Sequence, residues 1–185
     1  MNKVRMSIVS IILVTSLLLG GTAYAQEEEL PDPGITPDSP FYFFDTFGKK
    51  LGLMFTFGDE AKAQKALEYA EERLAEANAM ALKNKLQKME QAAAGYEGFM
   101  VMVQERLQAA VQQNASANIS EKVALATQKH LAVLDRVRDR VRDQVPEEGG
   151  EALDRARERS LNGQQQALRA LAEHQPERAT EINLD

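Results

Sequence analysis

The sequence contains no cysteine and no tryptophan, and only two of its 185 residues are histidine. Without cysteine the chain cannot form a disulfide framework, a zinc ribbon, an iron–sulfur site or a catalytic thiol. It also lacks runs of alternating β-branched residues, which are the usual signal of a strand. We therefore expect a core that is built from helices and held together by packing alone.

Motifs that carry chemistry are missing as well. The sequence has no glycine-rich phosphate loop, no Gly-x-Ser-x-Gly elbow and no His-Glu-x-x-His pair. Its 28 acidic residues outnumber its 22 basic ones, which gives a net charge of -6 and argues against a phosphate-binding surface. We therefore expect a non-enzymatic protein without a cofactor or a metal site, and we expect no binding to nucleic acid.

Residues 1–25 have the organisation of a secretory signal. Lys3 and Arg5 supply its positive start, Met6–Leu19 form an apolar stretch of 14 residues, and Ala23-Tyr24-Ala25 matches a small-x-small cleavage site. A membrane-spanning helix needs about 20 apolar residues, so cleavage near Ala25 is favoured over a retained N-terminal anchor. The mature protein is then exported to the periplasm, the cell surface or the medium.

The chain after the signal divides into three parts. Residues 26–39 are rich in acids and proline, and they predict an extended leader because proline interrupts helices. Residues 40–175 carry the apolar periodicity of a helical domain, and Pro40 suits the first helical position. Residues 176–185 are polar and begin with a proline, so we expect a frayed tail.

Apolar residues at spacings of three and four predict four long helices, with turns around residues 83–85, 114–118 and 147–150. The second of these helices would overrun a sphere of this mass, so the body should be elongated. The predicted fold class is all-α, an elongated antiparallel helical bundle of four main helices plus a short aromatic N-terminal helix. The expected buried residues are Leu67, Ala70, Leu74, Ala77 and Ala81 in the first helix; Leu82, Leu86, Met89, Ala93, Tyr96, Met100, Val103, Leu107 and Ala110 in the second; Ile119, Val123, Ala126, His130, Val133, Val137 and Val141 in the third; and Leu153, Ala156, Ser160, Ala167, Leu168 and Leu171 in the last.

The aromatic segment is the most unusual feature, because six of the seven phenylalanines lie between positions 41 and 57. Its apolar residues fall on one side of a helix and could form a wedge for a membrane surface or for an apolar groove of a partner. They could instead plug one end of the bundle, and we favour the plug because soluble proteins rarely expose so much contiguous apolar area. The candidate interaction surface consists of Phe41, Phe44, Phe47, Leu51, Met54 and Phe55.

Two other patterns are best explained by the core. His130 falls on the buried line of its helix, and the only other histidine, His174, lies near the C-terminus, so a pH switch or a metal ligand is disfavoured. Met100 and Met102 are similar to the Met-x-Met pattern of copper-handling proteins, but in a helix their side chains point about 200° apart. We therefore expect His130 and Met100 in the core. The residues expected to face water include Glu68, Glu71, Glu72 and Arg73.

Several segments together resemble a known family. They are the opening Pro-Asp-Ser-Pro-Phe-Tyr at residues 37–42, followed by residues 51–57, 70–77, 130–134 and 145–148. Over about residues 34–148 the chain resembles an uncharacterised family of exported helical proteins of bacterial and archaeal envelopes, catalogued as a domain of unknown function. The resemblance implies an envelope location, and it carries no activity and no catalytic residues.

The leading functional hypothesis is a non-enzymatic extracytoplasmic protein that serves as a structural or protein-interaction module of the cell envelope. Its partner would be another envelope protein or a second copy of the chain, joined along the seam Leu82–Ala110. Contact with a membrane surface is a less favoured option, because the plug is preferred. The alternative function is an exported helical chaperone, or a sensor of envelope stress or of metal.

Overall fold

The computed structural model describes residues 30–113, 117–143 and 147–184, and every regular element within these ranges is an α-helix. The predicted all-α class is confirmed. The predicted signal at residues 1–25, the start of the leader at 26–29 and residues 114–116 of the predicted connector lie outside the described residues. The helices are α1 (Tyr42–Met54), α2 (Asp59–Leu82), α3 (Leu86–Gln112), α4 (Ala117–Val141), α5 (Glu147–His174) and α6 (Pro176–Leu184).

The long helices α2 to α5 form one helical bundle in which each packs mainly against two others. Helix α2 lies against α3 and α4, and α5 lies against the same two helices. The short helix α6 packs on α5, while α1 rests on the outside of α2. Among the described residues, none of the helices combines the length and the apolar character that a bilayer span requires.

The bundle interior is formed by the apolar stripes that the sequence predicts. On α3 the seam is buried from Met89 to Ala110, and on α4 the whole predicted line from Ile119 to Val141 is buried. Leu82 is an exception because 59% of it is exposed. The prediction counted it with the α3 seam, but it ends α2, and the chain then turns through Asn84 in the left-handed region at φ 54°. The seam therefore begins later than predicted.

Three helix boundaries differ from the prediction. Helix α1 begins at Tyr42 rather than at Pro40, and α5 begins at Glu147, where a turn was expected at residues 147–150. Where a frayed tail was expected, α6 forms and buries Ala179 and Ile182 against the core. These two side chains are three residues apart and share one helix face, so tertiary packing stabilises a helix that its polar composition does not suggest.

The described part of the leader is attached to the bundle. Leu30 packs against the core, and the Asp38 carboxylate accepts a hydrogen bond from Lys85 Nζ at 2.5 Å. Lys83 Nζ lies 3.7 Å from the same carboxylate oxygen. The bond from Lys85, with a further one from Thr36, holds the pKa of Asp38 well below its usual range. The leader is thereby joined to the turn between α2 and α3.

Replacing Leu107 by alanine should lower the free energy of unfolding by about 2–5 kcal/mol, because it opens a cavity in the interior. Leu107 is fully buried, whereas Leu82 is largely exposed. The matched change Leu82→Ala should therefore cost no more than about 0.5 kcal/mol. Urea unfolding measures both costs, and equal costs would contradict the position of the turn.

Candidate functional site

Helix α1 is amphipathic, but it turns its apolar side outward. Lys49 and Leu53 are buried against the bundle, and Tyr42 and Asp45 are half-buried on the same side. On the other side Leu51 is half-buried and the larger side chains are exposed. The predicted plug is therefore wrong. We define the aromatic face as Leu51 together with Phe41 (63% exposed), Phe43 (71%), Phe44 (67%), Phe47 (52%), Met54 (64%), Phe55 (67%) and Phe57 (84%).

The charges of α1 are arranged around this face. Successive helical residues are about 100° apart, so from Phe43 round to Gly48 an arc of about 140° carries no charged side chain. Lys50 lies at one margin of the arc and is exposed. Asp45, the acidic residue of α1, points the opposite way, into the interface with α2. The exposed surface of α1 is therefore apolar with a single cation at its edge.

A buried charged cluster around Arg73 attaches α1 to α2. Arg73 is 1% exposed, and its Nη2 donates a hydrogen bond to Asp45 Oδ2 at 2.8 Å. Its Nη1 donates to Glu76 Oε2 at 2.7 Å and also to the Tyr42 hydroxyl. The guanidinium lies 4.7 Å from the centre of the Tyr42 ring, within the range of a cation–π contact. We call Tyr42, Asp45, Lys49, Arg73 and Glu76 the Arg73 cluster.

Lys49 adds a second cation to this cluster. Its Nζ lies 2.5 Å from Asp45 Oδ2 and 2.8 Å from Glu72 Oε2 on α2. Asp45 Oδ2 therefore accepts hydrogen bonds from both Lys49 and Arg73. Because a buried ion that loses its partner is strongly destabilising, these contacts fix which side of α1 faces the bundle.

Glu76 is the most constrained acid of the cluster. Its side chain is fully buried, and Oε2 accepts hydrogen bonds from Arg73 and, at 3.1 Å, from the Tyr42 hydroxyl. Its Oε1 has no hydrogen-bond partner in the described part of the chain. Burial raises the pKa of Glu76 from its ordinary value of 4.5 to about 7, although Arg73 acts in the opposite direction. Burial likewise raises the pKa of Tyr42 to about 12.

Two glycines leave space for side chains of α2, one for Arg73 and one for Tyr69. A Cβ atom on Gly95 of α3 would lie 3.0 Å from Cδ of Arg73, so the missing side chain accommodates the arginine stem. A Cβ atom on Gly52 of α1 would lie 2.5 Å from the Tyr69 hydroxyl, so α1 can approach α2 closely there. The prediction placed Arg73 in water. The signal that could have located it is Gly95, a glycine inside α3 next to the buried seam.

A cleft of about 750 Å³ separates α1 from α3 beside the Arg73 cluster. Phe43 and Leu53 of α1 and Phe99 and Met102 of α3 supply most of its apolar lining. Met102 is thus directed to the cleft while Met100 is fully buried, as the helical spacing predicts. The cleft opens beside the aromatic face, and Phe43 belongs to both.

His130 is a core residue, as predicted. It is 1% exposed, and its Nδ1 lies 3.0 Å from the Tyr96 hydroxyl. Its Nε2 is 3.8 Å from Glu71 Oε1, too far for a hydrogen bond. Within residues 30–113, 117–143 and 147–184, no group of three or more histidine or carboxylate side chains is placed to hold a metal ion.

A family model described as a domain of unknown function, DUF5667, matches residues 34–144. The chain belongs to this family. The DUF5667 region contains α1 to α4, so the aromatic face, the Arg73 cluster and the cleft are all parts of it. Helix α5 lies beyond the matched range, yet it contributes Leu153 and Leu171 to the core. No curated protein and no solved structure matches the chain.

The difference in stability between wild type and Glu76→Gln should depend on pH. The folded chain holds the Glu76 proton up to about pH 7, whereas the unfolded chain releases it near 4.5. The Glu76 contribution to the free energy of unfolding therefore falls as pH rises from about 4.5 to about 7 and is constant above that. Urea unfolding should show that the free energy of unfolding of Glu76→Gln rises relative to that of wild type across this range.

Glu105→Gln is the matched control, because it removes one exposed carboxylate from α3. The relevant measurement is the wild-type-to-variant difference at each pH, with the Glu105→Gln difference subtracted. A Glu76→Gln difference that does not change between pH 5 and pH 8 would contradict the burial of this carboxylate.

Proposed function

We propose that the protein is a non-enzymatic, extracytoplasmic interaction module of the cell envelope whose working surface is the aromatic face of α1. The observation that carries the proposal is the orientation of α1, which turns Asp45 and Lys49 toward the bundle and exposes its phenylalanines. Contiguous apolar area of this kind on a folded domain marks an interaction or membrane site. The bundle then serves as the scaffold that presents α1.

The scaffold of this proposal is an elongated antiparallel bundle of the four helices α2 to α5. The three-residue connection of residues 83–85 supports it, since a short connection between packed helices makes them antiparallel neighbours. The length of α3 supports the elongated outline, because its 27 residues extend about 40 Å. Helix α1 lies on the outer side of α2 in this arrangement.

The partner that we propose is the surface of a lipid bilayer. An interfacial helix buries a broad apolar arc below the headgroups and keeps its cations at the edge of that arc, which matches the aromatic face and Lys50. The acid of α1 is withdrawn from this surface although the whole chain is acidic. Phenylalanine dominates the face, and it is one of the residues that typically form the apolar side of an interfacial helix.

Export places this surface beside a membrane. The signal-like residues 1–25 direct the chain out of the cytoplasm, and cleavage near Ala25 leaves binding to α1 alone. A retained segment would instead act as a second attachment point. In that case residues 20–29, which precede the attached Leu30, reach at most about 36 Å. Either form keeps α1 within the envelope.

Substituting Phe44 and Phe47 together by aspartate should abolish binding of residues 26–185 to liposomes. Each phenylalanine contributes about 1.5–3 kcal/mol when it leaves water, so the bilayer partition coefficient should fall by at least about 100-fold. Co-flotation with vesicles of phosphatidylcholine and phosphatidylglycerol measures this. Because both residues are exposed, the thermal unfolding of the variant should match that of wild type.

The matched control replaces Ile35 and Leu82 by aspartate, because both are exposed apolar residues outside α1. This control should float as wild type does. Flotation of the Phe44 and Phe47 variant at the wild-type level would contradict the proposal. Wild-type protein that stays off vesicles yet suppresses the aggregation of an unfolded test protein would favour the chaperone alternative.

A further inference from the structure

We infer that the cleft between α1 and α3 binds the acyl chain of an anionic amphiphile, with the anionic head at Lys50. This goes beyond the proposed function, because the cleft is lined partly by α3, which has no part in the aromatic face. Its volume of about 750 Å³ falls inside the range of about 300–1,000 Å³ that small-molecule sites occupy. The cleft is therefore large enough for a single lipid-like chain.

The lining suits an acyl chain. Leu53 and Phe43 on α1 face Phe99 and Met102 on α3 across the cleft. Phe99 and Met102 are only partly buried, so they still present apolar surface that a ligand could cover. Each methylene group of an acyl chain that leaves water adds to the affinity. Apolar walls of this kind favour a hydrocarbon chain over a sugar, a nucleotide or an ion.

Gly98 keeps the cleft open on the α3 side. Apart from the backbone of its own helix, a Cβ atom at Gly98 would meet no atom of the described residues within 4 Å, so no contact among these residues requires a glycine there. Gly95 differs, because Arg73 occupies the space beside it. A glycine inside a helix is destabilising relative to alanine. At Gly98 this cost is offset by no packing within the protein, and the space that it leaves is part of the cleft.

The polar groups at the cleft favour an anionic head. Lys50 lines the cleft and has no ion-pair partner within the described ranges, in contrast to the adjacent Lys49. Thr46 also lines the cleft, and its Oγ1 is buried without a hydrogen-bond partner among the described residues. A carboxylate or phosphate could accept hydrogen bonds from both groups. The Arg73 guanidinium is already paired and stays part of the cluster.

Filling the cleft should abolish binding without harming the fold. Calorimetric titration of residues 26–185 with monomeric palmitate should show binding, and Gly98→Leu should weaken it by at least about tenfold because the new side chain occupies the cleft. Gly150→Leu is the matched control on α5, since a Cβ atom there also meets no atom of the described residues within 4 Å outside its own helix. Thermal unfolding should show both variants at least as stable as wild type, because leucine favours helices more than glycine.

Lys50→Glu tests the head group. It should weaken the binding of palmitate by about tenfold and leave the binding of the corresponding uncharged alcohol unchanged. If Gly98→Leu loses palmitate binding but floats with phosphatidylglycerol vesicles as wild type does, the ligand of the cleft is a free fatty acid. Equal losses in both assays would identify a phospholipid chain of the bilayer.

Failure of this inference is separable from failure of the proposed function. The Phe44 and Phe47 variant should lose flotation and retain palmitate binding, because neither residue lines the cleft. Palmitate that does not bind wild type, or that binds Gly98→Leu as tightly as wild type, would overturn the inference. Wild type that floats with vesicles without binding palmitate would keep the proposed function and overturn only this inference.

Discussion

The ion pair between Arg73 and Asp45 decides how α1 lies on the bundle. With Glu76, Lys49 and Tyr42 it forms a charged contact between α1 and α2 that is nearly closed to water. If α1 rolled over to bury its phenylalanines, it would carry Asp45 and Lys49 into solvent. The guanidinium of Arg73 would then share the interior with Glu76 alone. The aromatic face is exposed because the opposite face carries the partners of a buried arginine.

Such a cluster provides specificity more than stability. Buried ion pairs gain little over well-packed apolar residues, but removing one partner leaves an uncompensated charge. The cluster therefore disfavours other orientations of α1 on the bundle, even if it contributes little to the net free energy of folding. Glu76 adds a sensitivity to pH, because burial raises the pKa of its carboxyl group, whose Oε1 has no hydrogen-bond partner among the described residues. The Arg73 cluster thus attaches α1 to the bundle and determines which face of α1 is exposed.

The sequence predicts the bundle well because its helices follow one simple rule. An apolar stripe with spacings of three and four, such as Met89 to Ala110, is buried whichever neighbouring helix it packs against. The turn at residues 83–85 follows from the break in that spacing. Helix α6 is missed because its burial depends on a neighbour, α5, that no local pattern identifies.

Helix α1 shows where local reasoning ends. Its phenylalanines form an obvious apolar face, and hydrophobicity alone would bury it. The choice between its two faces depends on Asp45 meeting Arg73, 28 residues away, and on the space beside Gly95. Such a contact is invisible to a pattern read along one helix. Six of the eight residues of the aromatic face were found from the sequence, whereas Phe43, Phe57 and the exposure of the face required the tertiary structure.

The orientation of α1 can be measured directly because the chain has no cysteine of its own. Single cysteines in place of Phe47 and of Leu53 sample the two faces of α1, one 52% exposed and the other 8% exposed. In the native chain the thiol at position 47 should react with a maleimide nearly as fast as in urea, and the thiol at position 53 far more slowly. A protected thiol at position 47 beside a reactive one at position 53 would show that α1 buries its aromatic face, and would contradict this account.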